Sequence, residues 1–107
     1  MMNSKEIEHL KDIIVESYLP DKIILFGSYA RGSQTEESDI DVLVVSDKEK
    51  DLPRYKRGLS TRLLLSEFKV RKDVLFYSVA EYNKWKDTHL SFISEVNSDG
   101  IVIYERN

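Results

Sequence analysis

Two apolar segments follow each other with only a short polar stretch between them, and this pairing constrains the fold more than any other feature of the sequence. The first runs from Lys22 to Phe26 and the second from Asp39 to Ser46. Both are short, rich in isoleucine, leucine and valine, and bounded by polar residues, which is typical of buried strands. Two strands in succession exclude a regular series of strand–helix–strand units.

The segments around this pair predict three more elements in the first two-thirds of the chain. A helix capped by Asn3 or Ser4 ends at Pro20, which cannot continue a helix. A second helix is predicted from Asp51 to about Phe68. Its buried stripe is expected to consist of four apolar residues: Leu52, Tyr55, Leu59 and Leu63. The stretch 70–77 is expected to form a third strand.

The last third of the chain predicts two helices and a strand. Ser78 and Glu81 have the spacing of a capping box, so a helix should start at Val79. Its inward residues are expected to be Tyr82 and Trp85, followed by a helix that buries Leu90, Ile93 and Val96. The stretch 97–100 predicts a turn, and 101–105 an edge strand. We therefore expect an α+β fold with a mixed sheet of about four strands and helices packed on one main face.

Length and composition limit the remaining possibilities. The chain has 107 residues, the size of one domain spanning 1–107. It contains no cysteine, which excludes disulfides, cysteine zinc sites and thiol catalysis. The sequence shows no secretory signal and no apolar run long enough to span a membrane. A cytoplasmic location without membrane association is therefore expected.

The charge distribution is uneven. The net charge is −3, so direct nucleic-acid binding is not expected. The segment 48–72 nevertheless contains nine basic and three acidic residues, a balance of +6 that leaves −9 for the rest of the chain. Two interpretations stay open: a solvated helix face, or a surface for an anionic ligand or an acidic partner.

The junction after the first strand has the composition of a phosphate-binding turn. Gly27 would let a ligand approach the backbone closely, and Ser28 adds a hydroxyl donor. Free N–H groups at the start of a following helical turn favour an anion. Taken alone, the pair is better explained by a plain Gly-Ser turn with Ser28 as a helix cap.

Three aspartates are candidate metal ligands. Asp39 and Asp41 alternate on the second strand, so their carboxylates share one side, roughly 7 Å apart along the strand. Asp73 interrupts the apolar third strand and would join them if the two strands are neighbours. Magnesium prefers such oxygen ligands together with substrate phosphates. Harmless solvent exposure of the first two, and an ion pair of Asp73 with Arg71 or Lys72, are the alternatives.

The segment from Gly27 to Asp41 resembles the DNA-polymerase-β-type nucleotidyltransferase superfamily. Gly27-Ser28 is followed by ten residues and then Asp39-Ile40-Asp41, as in the minimal nucleotidyltransferase antitoxins that partner HEPN-domain toxins. The resemblance implies a nucleotidyltransferase fold, two Mg²⁺ ions and a nucleotide donor. It also implies that Asp39, Asp41 and Asp73 are the catalytic, metal-binding acids. Gly27, Ser28 and Arg31 would bind the nucleotide.

These implications lead to a specific hypothesis. The chain would transfer a nucleoside monophosphate, AMP from ATP, to a hydroxyl of a HEPN-type toxin, with tyrosine as the expected acceptor. In-line attack at the α-phosphorus would release pyrophosphate. Because the chain lacks the second domain of larger superfamily members, the acceptor is expected to be another protein. The rival hypothesis is a non-catalytic antitoxin that neutralises the toxin by binding alone.

Overall fold

The two successive apolar segments form strands, as predicted, and these pair as antiparallel neighbours. The computed structural model describes residues 4–106, so the predicted cap residue Asn3 lies outside the described part. The elements are α1 (Ser4–Tyr18), β1 (Lys22–Phe26), α2 (Ser28–Arg31), β2 (Ile40–Val45), a 3₁₀ turn (Arg54–Lys56), α3 (Leu59–Leu65), β3 (Lys72–Tyr77), α4 (Val79–Trp85), α5 (Phe92–Asp99) and β4 (Ile101–Glu105). No helix in that range is both long and apolar enough to cross a membrane.

The sheet is mixed and has the strand order β3-β2-β1-β4. β1 pairs antiparallel with β2 and with β4, whereas β2 pairs parallel with β3. The parallel pair follows from the crossover through α3, since a short turn cannot join parallel strands. The register places Phe26 opposite Asp41 and Asp41 opposite Asp73. The predicted α+β fold with a four-stranded mixed sheet and an edge strand at 101–105 is confirmed.

Hydrophobic residues cover both faces of the sheet. The larger core packs α1 and α3 against Ile40, Val42 and Val44 of β2. Leu43 and Val45 point to the opposite face, where α4 and α5 cover them. The strand alternation that was expected for β2 is therefore present. The one main helical face of the prediction is the α1 and α3 side, and α4 and α5 add a smaller layer on the other side.

The predicted helix from Asp51 to Phe68 is wrong in both its extent and its buried stripe. A 3₁₀ turn and α3 replace it, separated by Gly58 at φ 72°. A Cβ at Gly58 would lie 2.3 Å from the Phe76 ring, so the chain presses against β3 at the point where a continuous helix would have passed. Leu52, Tyr55, Leu59 and Leu63 are all exposed as a result.

A buried arginine, and not the leucine stripe, anchors this segment. The Arg57 guanidinium donates to the carbonyl oxygens of Leu52 and Lys50, at 2.9 and 3.0 Å. It also forms an ion pair with Glu81, in which Nη1 lies 2.7 Å from Oε1. Glu81 itself belongs to the predicted capping box of α4, with Ser78. Arg57 thus ties the loop after β2 to the start of α4.

The same ion pair predicts a specific acid sensitivity. The Arg57 guanidinium lowers the pKa of Glu81 from 4.5 to about 2. A depressed carboxyl pKa contributes stability that is complete above the unfolded value and is lost as the pH falls towards the folded value. Between pH 5 and pH 2 we expect the free energy of unfolding to lose about 2 kcal/mol through this group, after allowance for its partial exposure. In urea unfolding across that range, the free energy of unfolding of Glu81→Gln should fall less than that of the parent. Equal losses of unfolding free energy in the two proteins would contradict the assignment.

Two expectations in the last third of the chain also need correction. Tyr82, Ile93 and Val96 are buried as predicted, but Trp85 and Leu90 are exposed. Trp85 is the last residue of the short helix α4, and its ring lines a surface cleft beside Arg54. The predicted turn at 97–100 is the last turn of α5, which ends at Gly100.

Candidate active site

Gly27 and Asp41 meet at one end of the sheet. Gly27 directly follows β1, has φ 75° and faces the start of β2. A Cβ at this position would lie 2.3 Å from Oδ2 of Asp41. Only glycine leaves room for that carboxylate and tolerates the left-handed backbone. The Gly-Ser junction and the second aspartate therefore meet at this end of the sheet.

The predicted helical turn after Gly27 is also present, as α2. The carbonyl oxygen of Gly27 accepts the N–H groups of Ala30 and Arg31, at 3.1 and 3.2 Å. Gly32, in the left-handed conformation, ends the turn and lets the chain return to β2. The four-residue turn carries Ser28 and Arg31 beside the acidic end of the sheet. This position suits Ser28 and Arg31 as nucleotide ligands.

The three aspartates lie on the same side of the sheet and interact electrostatically. Asp41 and Asp73 are direct neighbours across the parallel β2–β3 pair. Burial raises the pKa of Asp41, the charges of Asp73 and Asp39 raise it further, and Arg31 opposes the shift. A raised carboxyl pKa means that the surroundings destabilise the ionised carboxylate relative to the protonated carboxyl group. A cation placed among the three acids would remove that destabilisation.

Asp39 has a partner that the sequence did not predict for it. Arg71 Nε lies 3.0 Å from Asp39 Oδ1, but its N–H is not directed at that oxygen, which is buried without a hydrogen bond. The alternative ion pair for Asp73 is absent from the described residues. Lys72 donates instead to the carbonyl oxygens of Phe68 and Val70, at 2.8 and 3.1 Å.

The donor set fits a divalent cation, although the side chains are not yet arranged around one. Within residues 4–106, no three His, Asp or Glu side chains already form a metal-binding group. All three acids offer the oxygen ligands that Mg²⁺ prefers. Asp39 is the acid whose pairing would have to change, because Arg71 forms an ion pair with it. A magnesium site would therefore form with a change in the Asp39 side chain.

A cleft beside the site was not foreseen from the sequence. It has a volume of about 190 Å³ and lies between Gly27, Arg31 and the residues Phe92 and Glu95 of α5. Phe92 packs edge-to-face on Phe26, with ring centroids 5.5 Å apart. This contact joins α5 to the end of β1. It could not be predicted because Phe26 and Phe92 are far apart in the sequence. An apolar wall next to the Gly-Ser turn is a suitable place for a nucleobase.

Comparison with known proteins agrees with this geometry. The sequence model of the nucleotidyltransferase domain family matches residues 7–102, which include the Gly-Ser turn and all three aspartates. The chain belongs to the nucleotidyltransferase domain family. This nucleotidyltransferase is 46% identical over 83 residues to MJ0604 of Methanocaldococcus jannaschii, a protein provisionally named a protein adenylyltransferase. That alignment covers 78% of the chain and 77% of the relative.

Further relatives agree in sequence and in fold. MJ0141 of the same organism, with the same provisional name, is 39% identical over 83 residues, covering 78% of each protein. A provisionally named nucleotidyltransferase from Sulfolobus solfataricus superposes with a TM-score of 0.64 at 22% identity, over 95% of this chain and 79% of that one. A toxin–antitoxin structure with AMP-PNP superposes with a TM-score of 0.58 at 23% identity, over 98% of this chain and 75% of the other. These two structures support the nucleotidyltransferase fold.

The close approach of Gly27 to Asp41 predicts a sharp effect of one methyl group. We expect Gly27→Ala to lower the rate of nucleotidyl transfer by about a hundredfold, because the new Cβ displaces the Asp41 carboxylate from its place. Gly32→Ala is the matched control, since Gly32 has φ 74° but nothing within 4 Å of its Cβ position. Both positions have a positive φ, but ψ is −155° at Gly27 and 17° at Gly32, so Gly27→Ala also carries the larger backbone strain. Equal activities of the two purified variants would contradict a role for the Gly27–Asp41 contact.

Proposed function

We propose that this nucleotidyltransferase is a cytoplasmic, Mg²⁺-dependent protein adenylyltransferase. It transfers AMP from ATP to a hydroxyl, most simply a tyrosine, of a HEPN-type toxin and so acts as its antitoxin. The observation that carries the proposal is the Asp41 carboxylate, packed against Gly27 and coupled to Asp73 and Asp39. The provisional names of the relatives and the nucleotide-bound toxin–antitoxin structure support the choice of donor and acceptor.

The roles of the residues follow from their positions. Asp39 and Asp41 would hold two Mg²⁺ ions together with the triphosphate, and Asp73 would complete the set. When bound, such ions neutralise phosphate charge and make the pyrophosphate a better leaving group. Ser28 and Arg31 orient the terminal phosphates from α2. The apolar wall formed by Phe26 and Phe92 receives the adenine.

The transfer itself is a single displacement at phosphorus. The acceptor hydroxyl oxygen forms a bond to the α-phosphorus while the bond from that atom to the pyrophosphate oxygen breaks. Asp73 is exposed at the rim of the site, where a hydroxyl on another protein can reach it, and it takes the proton of that hydroxyl. Asp41, half-buried behind it, stays a fixed ligand.

A second candidate function rests on a specific observation. Asp39 is already paired with Arg71, and among the described side chains no metal-binding group is preformed. A non-catalytic antitoxin that neutralises the toxin by binding alone would have no need to break that pair. Under this reading, the acids remain as a structural feature of the sheet end.

Mass spectrometry of intact proteins separates the two. The chain is mixed with the purified product of the neighbouring gene, the candidate toxin, with ATP and Mg²⁺ or with EDTA in place of the metal. We expect the toxin to gain the mass of one or more AMP groups only when metal is present, and peptide mapping to place the group on a hydroxyl. Inhibition of the toxin without any mass change would establish the binding-only function instead.

A further inference from the structure

The exposed side chains on and before α3 form an apolar ridge that the folded chain leaves uncovered. We define the leucine ridge as Tyr55, Leu59, Leu63 and Leu64. Tyr55 is 80% exposed, Leu59 65% and Leu63 62%. Leu59 and Leu63 are one helical turn apart and so point the same way. Large apolar side chains grouped in this manner mark a protein interaction site more often than isolated ones do.

The outward orientation of the leucine ridge is fixed by the opposite face of α3. Thr61 and Leu65 are fully buried, and Leu65 belongs to the larger core. The Thr61 hydroxyl lies 2.8 Å from Ser17 Oγ of α1, within hydrogen-bond distance. Turning α3 to bury its leucines would break this contact and expose Leu65. The ridge therefore stays on the surface.

The charge around the ridge specifies the chemistry of a partner. Arg54, Lys56 and Arg62 stack on aromatic rings, those of Tyr77, Tyr55 and Phe76, at 4.5, 5.9 and 4.9 Å from the centroids. In the part of the chain that the structure describes, no carboxylate forms an ion pair with any of the three. Such cations are available to acidic groups of another molecule. The ridge thus combines apolar contact area with an unneutralised cationic rim.

The ridge also leads to the catalytic acids. One surface cleft, of about 220 Å³, is lined by Tyr55 and Arg62 among others. A second, of about 250 Å³, is lined by Arg62, Ser66 and Asp73. Arg62 lines both clefts, so the two are neighbours on the surface between Tyr55 and Asp73, and we call them together the Arg62 track. A chain bound along this track would reach the acid at the rim of the active site.

We propose that the leucine ridge and the Arg62 track are the docking surface for the acceptor protein. The occupant is a segment of that protein with apolar side chains flanked by Asp or Glu, and its hydroxyl is presented at Asp73. This inference rests on the proposed function for the identity of the acceptor. It adds the place of binding and the charge of the partner.

Titration calorimetry with the purified product of the neighbouring gene, the candidate toxin, tests the docking surface. Leu59→Ser is compared with Leu19→Ser, because Leu19 is equally exposed, at 65%, but follows α1. We expect the dissociation constant to rise about tenfold for Leu59→Ser and less than about twofold for Leu19→Ser. Melting temperatures within a few degrees of the parent, as is usual for surface substitutions, show that both variants are folded.

The charge is tested in the same titrations. Lys56→Glu should weaken binding further, and the affinity of the parent should fall as NaCl is raised, because the rim is cationic. Val102→Ser tests the alternative apolar surface, the exposed edge strand β4. Weakening by Val102→Ser but not Leu59→Ser would overturn the proposal. Absence of binding by the parent, or equal effects of Leu59→Ser and Leu19→Ser, would overturn it as well.

The two proposals fail in different ways. If the toxin gains no AMP but binds through Leu59, the adenylyltransferase function is wrong and the docking surface stands. If the toxin gains AMP, and the parent and Leu59→Ser have the same KM for the toxin, the function stands and the docking surface is wrong. A raised KM for the toxin with an unchanged KM for ATP supports both.

Discussion

Replacing Asp39 and Asp41 together by asparagine is expected to lower transfer of label from α-labelled ATP to the toxin by about a thousandfold or more. Asparagine keeps the shape of each side chain but removes the negative charge that would hold a cation. Burial and the charge of Asp73 both disfavour the ionised form of Asp41. The double variant should therefore fold at least as well as the parent. A melting temperature that is equal or higher, together with lost activity, is the combined signature.

The control for this variant removes two other surface carboxylates, through Asp51→Asn and Asp87→Asn. Both residues are exposed and outside the acidic group, so transfer should stay within about twofold of the parent, as for most surface changes. Toxin inhibition in cells gives the decisive comparison between the two candidate functions. If Asp39→Asn with Asp41→Asn still rescues cells as well as the parent, catalysis is not needed for neutralisation.

Arg57→Ala is expected to destabilise the protein by about 3–5 kcal/mol. The substitution leaves Glu81 without its ion pair and removes the donor to the carbonyl oxygens of Lys50 and Leu52. Buried groups left without partners cost more than the pair itself contributes. The free energy of unfolding in urea is the measurement, with circular dichroism as the signal.

Arg54→Ala is the matched control for Arg57→Ala. Arg54 is three residues away and exposed, and its guanidinium lies over the Tyr77 ring. Its removal should cost less than about 1 kcal/mol. Coupling between Arg57 and Glu81 is tested by adding Glu81→Gln to each background, which should cost little where Arg57 is already absent. A cost for Arg57→Ala as small as that for Arg54→Ala would show that the guanidinium does not anchor this segment.

Much of the sheet and of the acidic site could be predicted because local pattern and global packing agree there. The strands at 22–26 and 101–105 have the predicted bounds, since apolar runs end at polar or glycine residues. The position of Asp41 follows from strand alternation, and Asp39 lies directly before the strand, which begins at Ile40. Asp73 could be added only on the condition that β2 and β3 are neighbours, which the parallel register satisfies.

The segment after β2 shows where local pattern misleads. Leu52, Tyr55, Leu59 and Leu63 have helical spacing, and periodicity assigns such residues to a core. The structure buries Arg57 and Gly58 instead, because Glu81 supplies the countercharge from α4. A partner 24 residues away is not visible in a local pattern. Apolar residues exposed against their pattern are also the reason to look for a partner there.

The site residues that were missed share this cause. Arg71 pairs with Asp39 because the residue before β3 lies beside the start of β2, where Ile40 N–H donates to the Arg71 carbonyl oxygen at 2.9 Å. Phe92 lines the same cleft as Gly27 because α5 packs on β1. Both contacts depend on register and helix placement. The sequence motif predicts which groups do the chemistry, and the fold shows which groups surround them.

Electron paramagnetic resonance of Mn²⁺, a stand-in for Mg²⁺, tests most directly whether the acidic end of the sheet holds divalent cations with the nucleotide. The free-Mn²⁺ signal is followed as the protein is added, with and without a non-hydrolysable ATP analogue. We predict that the parent protein removes the signal, more strongly with the analogue, and that Asp39→Asn with Asp41→Asn does not. Equal Mn²⁺ binding by the parent and by that variant would contradict the assignment of the site.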